Sequence, residues 1–245
     1  MTRKEMICSF LLCGFLLFVS SVATAQLGDL VKRAEQQLGT QSGSNLSDDK
    51  IVAGLKEALQ VSTGNAVAKT GRVDGYLKNE AIKIALPPKL KTVGSGLRLV
   101  GMGSQVDDLE VGMNRAAEKA APQAKAIFLA SLKKMTFTDA RQILTGGDTA
   151  ATDYFKRTST PDLTTAFKPI VHQSMLNVGV VQQYNKVLAS APAGSALAGQ
   201  FDLTNYVVEK ALDGLFYELG QEETKIRKDP MAQTTSLLKE VFGRK

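Results

Sequence analysis

Leu203-Thr204-Asn205-Tyr206-Val207-Val208-Glu209-Lys210-Ala211-Leu212-Asp213-Gly214-Leu215-Phe216-Tyr217-Glu218-Leu219 decides the fold class of this 245-residue chain. Leu203, Tyr206, Val207, Leu212, Leu215, Phe216 and Leu219 recur at helical spacing and form one apolar face. This is the strongest amphipathic helix of the sequence. Its apolar stripe must be buried against other elements, and the rest of the chain offers helices for that purpose.

Upstream, Ile51, Leu55, Ala58 and Leu59 form the stripe of a helix that Ser47 can cap, with Asp48 and Asp49 suited to its first turn and its end near Gly71. Leu90, Val93, Leu97 and Val100 stand at core spacing. Leu109, Met113, Ala116 and Ala120 continue on a second helix that breaks before Pro122. Ile127, Phe128 and Leu132 belong to a third. Alanines at 116, 117, 120, 121 and 124 permit close helix approach.

Thr136-Phe137-Thr138-Asp139 has the form of a capping box, and Gly146-Gly147 stops the helix that buries Ile143 and Leu144. Asp148 can cap the next helix, which carries Tyr154 and Phe155. Thr160-Pro161 reads as a fresh start, with Leu163, Phe167, Ile170, Val171 and Met175 on one face and Pro169 expected to kink or divide the run. Residues 190–201 read as a loop. Asp229-Pro230 opens a last helix, with Leu237, Leu238, Val241 and Phe242 inward.

Residues 72–86 are the exception. Asp74-Gly75 signals a turn, and Ile82, Ile84 and Leu86 alternate with Lys83 and Ala85 until Pro87 and Pro88. A short extended segment or a small hairpin is expected near residues 80–86. No second strand pattern exists to build a large sheet. The fold class is therefore all-α: a compact multi-helix bundle of about nine short helices.

The first 25 residues read as an export leader. Arg3 and Lys4 precede the uncharged apolar run Ile7 to Val22, and Ala23-Thr24-Ala25 predicts cleavage before Gln26. The expected location is the periplasm. Leu27, Leu30, Val31, Ala34 and Leu38 then mark a short helix joined by a flexible linker, residues 39–45. Residues 26–46 thus form an arm, and residues 47–243 a single helical domain. Self-association through the Leu27–Leu38 helix is one expectation; oligomeric state and partner are otherwise left open.

Composition narrows the chemistry. Both cysteines, Cys8 and Cys13, lie in the leader, so disulfides, thiolate nucleophiles and cysteine zinc sites are excluded from the exported chain. His172 is the only histidine, and it reads as a surface or boundary residue. No metal site and no cofactor is expected. The net charge of +6 is scattered among alternating acids and bases, which argues against nucleic acid and leaves weak attraction to a membrane surface. The glycines of Gly94 to Gly103 fail the dinucleotide spacing, since Leu99 stands where the third glycine belongs; they read as helix-approach or bend positions.

The candidate site residues are polar groups on helices. Asn114, Arg115 and Glu118 share one helix, and a pocket joining them to Asp213 or Glu222 would bind a ligand. Asp107, Asp108 and Glu110 sit near a helix start. Glu218 and Glu222 are one turn apart and repel unless a cation lies between them, while Arg227 answers Glu223. The leading function is a non-enzymatic role in the envelope, structural or binding a small molecule, lipid or partner protein. A carboxylate- and arginine-dependent hydrolase of envelope material is the alternative.

Several phrases are similar to a bacterial family of exported helical proteins. They are Asn114-Arg115-Ala116-Ala117-Glu118, Met135-Thr136-Phe137 with Asp139-Ala140-Arg141, Lys210 to Phe216, Glu222-Glu223, and the closing Val241-Phe242-Gly243. The resemblance covers roughly Ser47 to Gly243. That family is catalogued only as a domain of unknown function. It implies a Gram-negative envelope protein with a helical fold and carries no catalytic residue to transfer.

Overall fold

The structure, a computed structural model, describes residues 48–177, 179, 182, 185–186 and 202–229. The leader, the Leu27–Leu38 arm, the 39–45 linker, the Ser47 cap, the 190–201 loop and the helix after Pro230 lie outside the described residues, as do the side chains of Ile51 and Val93.

Seven α-helices and one 3-10 turn (Ala121–Gln123) form a bundle, with no strand among the described residues. They are α1 (Asp48–Gly71), α2 (Pro88–Leu99), α3 (Gly103–Ala120), α4 (Ala124–Lys134), α5 (Phe137–Thr145), α6 (Ala150–Asn177) and α7 (Leu203–Lys228). The long α7 packs on both α1 and α6, α3 packs on α6, and α2 packs on α3. Leu203, Val207, Leu212, Leu215, Phe216 and Leu219 of α7 are all buried. Phe128 of α4 sits between Phe155 of α6 and Phe216 of α7, with ring centroids 5.0 and 6.1 Å away. The five alanines from Ala116 to Ala124 are wholly buried, which is what lets the backbones of α3 and α4 approach their neighbours.

Most helix ends fall where local chemistry puts them. Thr136 caps α5 through the expected box: its Oγ1 accepts from the Asp139 N–H at 3.1 Å, and its own N–H donates to Asp139 at 3.0 Å. At the end of α2, Gly101 takes φ +82°. The Met102 N–H then reaches back to the Leu97 carbonyl and the Gly101 N–H to Arg98. This turn leaves Val100 71% exposed; its helical spacing pointed to the core, but the helix ends at Leu99. Gly94 supplies close approach, because an added Cβ would lie 2.7 Å from Leu86.

The expected helix start at Thr160-Pro161 is not a boundary. A single 28-residue helix, α6, runs through Pro161 and Pro169, so two of the nine expected helices are one. Each internal proline costs about 3 kcal/mol in a helix interior. Both stand on the exposed side, opposite an unbroken buried stripe of Ala151, Phe155, Ser159, Leu163, Phe167, Val171 and Met175. Burying a large apolar side chain contributes roughly 1.5–3 kcal/mol, so the stripe outweighs the two breaks.

Residues 72–87 form a strap across the bundle. Ile82, Ile84 and Leu86 are buried while Lys83 and Ala85 are exposed, so the alternation is real. Neither a ladder nor a hairpin accompanies it. The strap's backbone instead bonds to side chains: Ile84 to Asn114, Ala85 O to the Tyr206 hydroxyl at 3.0 Å, and Leu86 N to Glu110 at 3.4 Å.

Candidate functional site

Helix spacing puts Asn114, Arg115 and Glu118 on the side of α3 that faces the strap. Asn114 is completely buried. Its Oδ1 accepts from the Ile84 N–H at 2.9 Å and its Nδ2 donates to the Ile84 carbonyl at 2.8 Å. Glu118, also buried, accepts from the N–H groups of Tyr76 and Leu77 at 3.1 and 3.2 Å. Its other oxygen takes Arg115 at 2.6 Å, and Arg115 reaches Asp74 at 2.6 Å. Asp74 holds a positive φ of 65° at the turn. Lys78 first, and Arg115 second, hold its carboxyl below the usual carboxylate range.

Tyr76 anchors the strap in the core. It is fully buried, and its hydroxyl donates to the Ala211 carbonyl of α7 at 2.6 Å. Burial, reinforced by the charges of Glu218 and Glu118, pushes the phenol far above its ordinary value. Gly214 makes the fit: a Cβ there would stand 2.6 Å from the Tyr76 ring.

Glu218 and Glu222 do have a cation between them. Lys69 of α1 lies 2.6 Å from Glu222 and 3.6 Å from Glu218. Asn65 donates to Glu222 at 2.7 Å, and Asn79 of the strap donates to Glu218 at 2.8 Å. Burial resists ionisation of Glu222, but the bonds from Lys69 and Asn65 outweigh it and hold its carboxyl below the usual range. The same bond raises the Lys69 ammonium above its ordinary value. Glu223 works one residue on. It accepts the Ala151 and Thr152 N–H groups at 2.9 and 2.8 Å and pairs with Arg227 at 2.8 Å. The start of α6 is therefore capped from α7. Asp148, the expected cap, pairs with Lys228.

The structure brings Asn114, Arg115 and Glu118 together, but around the strap. Glu222 belongs to the Lys69 cluster. Asp213 is exposed and pairs with Lys210 at 2.8 Å. Asp107 pairs with Arg98, Asp108 is exposed, and Glu110 bonds to the strap. Sequence reasoning missed Lys69, Asn65, Asn79, Asp74 and Tyr76 as site residues; each has a partner 41 to 157 residues away in the chain, and Asp74 pairs also with Lys78, four residues on.

Two open hollows lie between α6 and α7, and Asp213 lines one of them; a smaller one of about 290 Å³ lies between Ala81, Ile82 and Lys83 of the strap and Lys210, Asp213 and Tyr217 of α7. One chamber of about 660 Å³ is lined by Thr164, Thr165, Lys168, Pro169, His172, Asp202 and Thr204. A second, of about 570 Å³, lies beside Lys156, Thr160, Thr164, Val208, Leu212 and Phe216. Thr164 borders both. His172 thus has a place in the groove, its Nδ1 3.3 Å from the Thr204 hydroxyl. No group of three His, Asp or Glu side chains among the described residues is placed to hold a metal ion.

These features define an all-helical domain whose interior carboxylates and amides hold its own elements together. The chain belongs to the family described as a protein of unknown function, DUF4197, which matches residues 45–243. No curated protein and no solved structure matches it.

Proposed function

We propose that this is a non-enzymatic binding protein of the bacterial envelope, exported to the periplasm, and that the α6–α7 groove is its binding surface. The observation that carries the reading is the pair of chambers, about 660 and 570 Å³, sharing Thr164. Their size is that of ordinary ligand sites. The polar groups that a hydrolase would use have other work: Arg115 and Glu118 bond to each other and to the strap. Asp213, beside the groove, has Lys210 as its partner and no nucleophile–base pair near it.

Thr164 is exposed and central, so Thr164→Trp fills the groove without disturbing the core. The probe is anilinonaphthalene sulfonate, an apolar anion that suits apolar lining edged by Lys156 and Lys168. The native protein is expected to bind it saturably, and Thr164→Trp to lose that binding with its melting temperature unchanged. Equal binding by both proteins, or none by the native one, would refute the assignment.

A further inference from the structure

The two chambers form one line. On α6, Lys156, Thr160, Thr164, Lys168 and His172 border them at four-residue intervals. Sixteen residues of helix span about 24 Å. Opposite, α7 runs the other way: His172 meets Thr204 at one end, and Lys156 lies 5.9 Å from the Phe216 ring at the other. Val208, Leu212 and Phe216 make a floor at the same four-residue spacing.

The walls differ in charge. Lys156 and Lys168, on the α6 wall, pair with no carboxylate among the described residues. The α7 wall carries Glu209 and Asp213, which share the single Lys210 at 3.8 and 2.8 Å. The α6 side of the groove therefore carries a lysine near each end, and the α7 side two carboxylates that one lysine only partly offsets.

Resting on the groove assignment above, we infer that the occupant is an amphipathic α-helix of a partner protein, about four turns long, with acidic residues along one edge and basic residues along the other. A straight groove between two antiparallel helices accepts the ridge of a third. Its four-residue floor spacing matches a helix with apolar residues at i, i+4 and i+8. Opposite charges along two walls select a ligand with two charged edges. An acyl chain carries its charge at one end and leaves either Lys156 or Lys168 without a counterpart.

The test uses three fluorescein-labelled 16-residue helical peptides sharing one leucine stripe: one edged with Glu on one side and Lys on the other, one all-Glu and one all-Lys. Fluorescence anisotropy with the full chain is expected to show the mixed-edge peptide binding at least tenfold more tightly than the others, and Thr164→Trp abolishing it. Lys156→Glu with Lys168→Glu makes both walls acidic and is expected to transfer the preference to the all-Lys peptide. Equal binding of the three peptides overturns the inference. So does uptake of cis-parinaric acid with no peptide bound, which makes the occupant a lipid. If no peptide binds while anilinonaphthalene sulfonate still enters and Thr164→Trp still excludes it, the helix inference fails and the groove remains a binding site.

Discussion

Asn114 shows how much one buried amide can do. Its oxygen and nitrogen satisfy both backbone groups of Ile84, 30 residues earlier. Leucine has the same branched skeleton and neither polar atom. Asn114→Leu therefore leaves a buried N–H and a buried carbonyl without partners, each costing about 1–3 kcal/mol. The expected loss is about 2–6 kcal/mol, or roughly 4–24 °C in melting temperature for a domain of this size, read by circular dichroism. The sequence showed Asn114 as one of a polar set with Arg115 and Glu118 on one helix. It could not show that the carboxamide points at a strap, because the pairing depends on where the chain returns after the Asp74-Gly75 turn.

At the level of elements, Glu223 and Arg227 tie α7 to α6 and α5. Glu223 takes the first N–H groups of α6, and Arg227 donates to the Ile143 carbonyl at 2.8 Å. Glu223→Ala strands those N–H groups and removes the carboxylate that pairs with Arg227. Removing one partner of a buried pair costs about 3–5 kcal/mol. The expected signature is a matching loss in urea unfolding, with amide exchange accelerated first at Ala151 and Thr152. Helices were legible where their signals are local: the Thr136 box, the Gly146 stop and the α7 stripe. They were illegible where tertiary burial overrides local chemistry, as at Pro161 and Pro169, or where a cap comes from 72 residues away, as for Ala151.

For the whole molecule, the carboxylates set the response to acid. Burial opposes the charge of Glu222, but Lys69 and Asn65 hold its folded carboxyl below the usual range. The Thr136 bonds lower Asp139, and Lys78 with Arg115 lowers Asp74. A depressed folded value means stability present above the unfolded carboxylate range, near pH 4, and lost as pH falls through the folded values. Melting temperature is expected to be level from pH 5 to 8 and to fall below about pH 4. Glu222→Gln should melt lower at pH 7 and decline less steeply in acid. Export has its own measurement: the protein taken from the periplasm is expected to have the intact mass of a chain beginning at Gln26, and a mass retaining Met1 would refute cleavage. The candidate residues of α3 were legible as a group, yet the groove was not, since it exists only once α6 and α7 lie side by side. The strap has a last consequence. Ile82-Lys83-Ile84-Ala85-Leu86 has the alternation of an aggregation-prone edge, and the unfolded chain exposes it to every neighbouring copy. Once Asn114 and Glu110 bond to Ile84 and Leu86, those backbone groups are no longer offered to another chain. Folding of α3 onto this segment thus also guards solubility, and the dangerous interval is the time before that contact forms.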